Sequence, residues 1–90
     1  MSNSLSLFVA LMAACAPTMS HAAFPCDELW AERNAVYKDA GYCFKTDRAI
    51  RAFGNAGCRY DEVADLPLSD RDRAKVAEIA AQERAARCPR

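Results

Sequence analysis

Two kinds of apolar pattern divide the chain. From Leu5 to Ala16 apolar residues follow one another for 12 positions, broken only by Ser6. Beyond Ala23 they recur with a helical period instead. Leu29, Trp30, Val36, Tyr37 and Ala40 lie at steps of one, seven, eight and eleven from Leu29, which places them on one face of a 3.6-residue repeat. Asp27 is the expected N-cap of this first helix and Glu28 falls in its positive first turn. Gly41 is the expected stop, because glycine enters the left-handed conformation without a Cβ penalty. The pattern therefore predicts a helix of about 13 residues. Tyr42-Cys43-Phe44 reads as an extended segment whose aromatics cover one end of a core.

Thr46 is placed to cap a second, short helix, with Asp47 in its first turn and Ala49, Ile50 and Phe53 spaced for burial. Gly54-Asn55-Ala56-Gly57 ends it. Cys58 to Leu68, anchored by Tyr60, Val63 and Leu66, reads as an ordered loop with one turn of helix around Asp61 to Ala64. Ser69-Asp70-Arg71-Asp72 is a capping-box signal that opens a third helix, from Asp70 to about Arg87. Glu83 and Arg87 stand at i,i+4 on it, and Pro89 stops it. The fold class is all-α: a small disulfide-stapled bundle of about three helices, with an ordered loop between helices two and three.

Charge and composition narrow the function. Lys plus Arg is 12 and Asp plus Glu is 12, so the formal charge is zero and nothing electrostatic points to nucleic acid or an anionic membrane. All of that charge lies beyond residue 22. Residues 23–90 hold 14 alanines and 4 cysteines, which leaves 15 larger apolar side chains to make a core. So small a core needs staples, and each disulfide is worth roughly 2–4 kcal/mol.

The run from Leu5 to Ala16 is shorter than the about 20 residues needed to span a bilayer. It has the length of a signal h-region, with Pro17 breaking the run and Ser20-His21-Ala22 offering small residues before Ala23. Residues 1–22 are thus expected to be a signal peptide and 23–90 a single domain. Leu11-Met12-Ala13-Ala14-Cys15 also resembles a lipoprotein signal, which would make Cys15 a lipid anchor. Either route removes Cys15 from the fold and leaves Cys26, Cys43, Cys58 and Cys88. Their intervals of 17, 15 and 30 residues lack the close pairs of structural zinc sites and read as two disulfides. Three connectivities are possible. Cys43 and Cys58 flank the short helix, and antiparallel packing of helices one and three would bring Cys26 to Cys88; those are the expected pairs.

Few residues suggest chemistry. The only histidine, His21, lies in the leader. Ser69 is explained by capping, Glu28 and Glu32 by a solvated helix start, and the cysteines by pairing. Arg33 and Asn34 are adjacent polar residues on the helix that carries Trp30 and Tyr37, expected to tie that helix to the loop after Gly41. With Tyr42 and Tyr60 they make the possible recognition surface, while Trp30 is expected to anchor the core.

The segment Glu28 to Lys45 resembles the YARHG domain family, small bacterial domains assigned to the extracellular side and named after a Tyr-Ala-Arg-His-Gly motif. The likeness runs through Leu29, Trp30, Ala31, Arg33, Asn34, Tyr37, Gly41, Tyr42, Phe44 and Lys45, and its outline extends from Cys26 to Ile79. Within the motif, Lys38-Asp39-Ala40 stands in place of Ala-Arg-His. The resemblance implies a cell-envelope or secreted setting and brings no activity with it. The expectation is an exported small binding or accessory module of the envelope, periplasmic or extracellular, or an outer-membrane lipoprotein. It would have no cofactor, no catalytic residue and no metal, and its partner would be an envelope protein, a peptide or a glycan. No integral membrane insertion is expected after processing. The alternatives are a purely structural envelope protein and a small hydrolase.

Overall fold

The structure, a computed structural model, describes residues 23–89. The leader, with Cys15 and His21, lies outside the described residues. Three helices follow in order: α1 (Ala23–Asp39), α2 (Asp47–Phe53) and α3 (Asp70–Ala85). A single 3₁₀ turn, Val63–Asp65, interrupts the connection between α2 and α3.

α1 begins four residues before the expected cap. Pro25 is the third residue of the helix, inside the first turn where a missing N–H leaves no intrahelical bond unmade. Asp27 is consequently inside the helix, and its carboxylate accepts from Arg48 of α2 at 3.2 Å. At the other end Gly41 has φ +97°, as the stop signal predicts. Tyr42 N–H then donates back to Tyr37 O at 3.0 Å, which closes the helix end and turns the chain.

α2 is capped as its sequence indicates. Thr46 accepts from Ala49 N–H at 3.2 Å, and Gly54, at φ +72°, donates to Ile50 O. Ser69 likewise accepts from Asp72 N–H at 3.0 Å and opens α3. The C-terminus of α3 differs from expectation. The helix stops at Ala85, and Arg87 takes φ +58°. Arg87 N–H donates to Arg84 O and Cys88 N–H to Glu83 O, the paired bonds of a Schellman turn with arginine in the place usually held by glycine. Arg87 therefore lies beyond the helix rather than one helical turn from Glu83, whose carboxylate is engaged across the bundle by Arg33.

α1 and α3 run antiparallel, since Cys26 near the start of α1 is bonded to Cys88 just past the end of α3. Leu29, Ile79 and Cys88 make one small buried cluster at that end. A larger one gathers Tyr37, Phe44, Ala49 and Leu66, with Trp30, Tyr42, Phe53, Tyr60 and Val76 packed around it. The second bridge, Cys43–Cys58, spans 15 residues and closes the segment that contains α2.

The loop segments are paired rather than merely covered. Tyr42 and Tyr60 form an isolated parallel β-bridge: Gly41 O accepts from Arg59 and Tyr60 N–H at 2.7 and 3.0 Å, and Cys43 N–H donates to Tyr60 O at 2.8 Å. Asn55 clamps the same strand from the far side. Its Oδ1 accepts from Phe44 N–H at 2.6 Å and its Nδ2 donates to Phe44 O at 3.0 Å, so one side chain satisfies both backbone groups of a buried residue. Val63, expected as an anchor, is 39% exposed, and Leu66 alone takes the buried place in that loop.

Candidate functional site

The C-terminal turn of α1 and the β-bridge beside it enclose a groove of about 290 Å³, lined by residues 38–41 of α1 and its stop, and by Gly57, Arg59, Tyr60 and Pro67. Helix geometry explains the lining. Tyr37 is turned inward and buried, so the next residues around the turn, Lys38 and Asp39, fall on the other side. Gly41 lets the bridge strand close over this turn: a Cβ built on it would stand 3.3 Å from Cδ2 of Tyr60. Lys38 and Arg59 supply cations and Asp39 a carboxylate, while the Tyr60 ring and Pro67 supply apolar wall. Lys38 also donates to Gly54 O at 3.3 Å, which ties the groove to the end of α2.

The expected recognition residues separate. Tyr60 is half-buried and lines the groove. Tyr42 does not line it. Its ring stands between those of Tyr37 and Phe44, at 5.8 and 5.2 Å in edge-on geometry, with Lys45 Nζ 5.2 Å above it. Lys45 is itself held by Asp61 O, so Tyr42 reads as part of the scaffold. Asn34 is buried and donates to Trp30 O at 2.9 Å within its own helix, and Arg33 reaches α3. Neither makes the expected tie to the loop after Gly41; Asn55 does that work.

Arg33 forms a two-bond ion pair between α1 and α3. Its Nε and Nη2 donate to the two carboxylate oxygens of Glu83 at 2.7 and 3.0 Å, and Glu83 is 2% exposed. The hydrogen bond to Glu83, opposed by partial burial and helped by the same carboxylate's charge, holds the Arg33 guanidinium above its ordinary pKa. Stability tied to a raised basic pKa is present at lower pH and is lost only as pH rises through the folded value, so the Arg33–Glu83 pair favours the charged guanidinium. Nearby, the Arg48 guanidinium lies 3.7 Å over the ring of Trp30, which is half-buried and tilted against Phe53 at 5.9 Å. Trp30, Arg33, Arg48 and Pro89 together line a second concavity, of about 480 Å³.

Asn55, Arg48 and Arg59 carry no role in the sequence reading, and Glu83 enters it only as a partner for Arg87. For Glu83 a signal existed: Val76, Ile79, Ala80 and Glu83 share the i, i+3, i+4, i+7 stripe of α3, so the carboxylate lies on its buried face. For the other three no local pattern marks the role. Ser69 is a cap, and Glu28 and Glu32 are exposed, as the solvated helix start implies. No group of three or more His, Cys, Asp or Glu among the described residues could hold a metal ion. Among the same residues no helix is long and apolar enough to cross a membrane.

Comparison with known proteins returns one likeness. The model of the YARHG domain matches residues 6–84, nearly the whole chain and well beyond the Cys26 to Ile79 outline read from sequence. No curated protein matches significantly, and no solved structure does.

Proposed function

The chain belongs to the YARHG domain family, and on that premise we propose that it is an exported accessory module of the bacterial cell envelope that binds its partner in the groove at the C-terminal end of α1. One observation carries this reading. Of the five motif positions, the two that match set the frame: Tyr37 is buried, and Gly41, at φ +97°, turns the chain at the groove's edge. The three that depart, Lys38, Asp39 and Ala40, all line the groove. The motif's middle thus lies along the groove, with Asp39 exposed and Lys38 half-buried, while Ala40 also packs against the core, so the residues that depart from the motif are ones that shape the groove. Here the family's Ala, Arg and His give way to Lys38, Asp39 and Ala40, which adds a cation, reverses one charge and shortens one side chain.

Export follows cleavage between Ala22 and Ala23, leaving residues 23–90 as the domain. The intact mass of the protein recovered from its native host reads this directly, and a diacylglyceryl mass on Cys15 would make it an outer-membrane lipoprotein instead. The partner is an envelope protein, a peptide or a glycan.

Binding is tested by capture from envelope extract with the purified protein and two variants. Asp39→Lys/Arg59→Glu inverts the groove, whereas Arg84→Glu alters an exposed residue near the opposite end of the bundle. A partner kept by Arg84→Glu and lost by the groove variant is the expected result. A partner kept by both, or none captured, favours the purely structural envelope protein.

A further inference from the structure

The second concavity has a construction of its own. Two guanidinium groups line it, and each is bonded to a carboxylate of another helix. Arg33 is gripped through two bonds by the buried Glu83, and Arg48 is bonded to Asp27 while lying flat on Trp30. A planar guanidinium so held keeps its remaining N–H edges in a set direction, and less rotamer freedom is lost when an anion binds them. The rest of the lining is apolar: the half-buried indole of Trp30, whose face Arg48 covers, and the exposed Pro89. A bare ion would leave that apolar lining unused, and a neutral ring would leave the arginines unused.

We propose that this concavity binds an oxyanion carried on a sugar ring, the repeating feature of an acidic glycan. The carboxylate or phosphate takes the Arg33 and Arg48 edges as charge-assisted, fork-matched hydrogen bonds. The C–H face of the ring covers the edge of Trp30 and Pro89, and its hydroxyls stay at the open rim. The open volume of about 480 Å³ has room for a ring with its charged group. This site does not depend on the groove at the other end of α1.

Trp30 is the single tryptophan of the chain, so its fluorescence reports this site alone. The whole protein is titrated with galacturonic acid and glucose 6-phosphate, and separately with galactose, inorganic phosphate and N-acetylglutamate. A saturable change with one or both acid sugars, and a much weaker one with galactose or phosphate, is expected; the tighter of the two acids identifies carboxylate or phosphate as the preferred group. Arg48→Gln should weaken that response about tenfold, the loss of one charge-assisted contact. Arg48→Lys, which keeps the charge without the fork, should not restore it. Arg48 is exposed, so circular dichroism of both variants should match the parent. The groove variant Asp39→Lys/Arg59→Glu should respond like the parent, so failure at one site leaves the other standing. No saturable response to either acid sugar, or an Arg48→Gln response equal to the parent's, overturns the proposal. So does N-acetylglutamate binding as tightly as galacturonic acid, which would assign the site to acidic peptides.

Discussion

Single residues in this chain carry burdens that their neighbours do not share. Gly41 was expected to matter because a left-handed turn would swing the aromatics after it onto α1. The turn is there, but the contact that makes it strict is with Tyr60, whose ring leaves a Cβ only 3.3 Å. Gly41→Val meets both the unfavourable φ and that ring, and the β-bridge beyond it must shift. A loss of about 2 kcal/mol or more in urea unfolding is expected; a loss below about 0.5 kcal/mol would mean that the bridge strand yields freely. Arg87 is the reverse case. It occupies at φ +58° the place a Schellman turn reserves for glycine. Arg87→Gly relieves that strain at some cost in unfolded-state entropy, and a gain of about 0.5–1 kcal/mol is expected in the same measurement.

At the scale of elements, the α1–α3 interface is built around an ion pair as well as an apolar stripe. The pair sits where two side chains of opposite charge occupy buried-face positions of facing helices, Arg33 one turn after Leu29 and Glu83 one turn after Ile79. Removing only the arginine takes away the two-bond partner of a carboxylate at 2% exposure. Arg33→Met should therefore cost about 3–5 kcal/mol, whereas Arg33→Met/Glu83→Leu should return to within about 1 kcal/mol of the parent or exceed it. Denaturant midpoints of the four proteins in a double-mutant cycle check this; a double variant as unstable as Arg33→Met would show that the pair does more than neutralise itself. The stripe arithmetic that finds helices contains the Glu83 position, yet the reading from sequence paired it with Arg87. That pairing assumed that α3 stays helical through Arg87, and the turn of the chain into the Cys26–Cys88 bridge ends it sooner.

For the whole molecule, the two disulfides divide the labour. Cys26–Cys88 joins residues 62 apart and closes α1 against α3, while Cys43–Cys58 joins residues 15 apart and holds the α2 segment. Loop-closure entropy grows by about 0.6 kcal/mol per doubling, so removing the outer pair by Cys26→Ala/Cys88→Ala should cost about 1 kcal/mol more than removing the inner pair. Thermal unfolding of the two double variants decides it; a larger loss from the inner pair would place the Asn55 clamp and the β-bridge, not chain entropy, in control of stability. With 15 larger apolar side chains, either loss is a large fraction of what the fold has.

The sequence by itself determined the helices, their caps at Thr46 and Ser69, the glycine stop and the all-α class, because each depends on a few adjacent residues and a short period. It also determined the two cysteine pairs once α1 and α3 were taken as antiparallel, since only that packing joins the outer ends. The tertiary structure alone decided the rest. A groove made of residues 38–41 and 57–67, an Asn55 that replaces a strand for Phe44, and an Arg48 laid over Trp30 all join positions far apart in the chain. Each depends on where a loop comes to lie, and loop placement follows from summed packing and hydrogen bonding over the whole fold rather than from any local pattern. The same holds for Arg33 and Asn34: sequence marked them as polar residues on the Trp30 helix, and only the arrival of α3 showed which one looks across to a partner and which one bonds within its own turn.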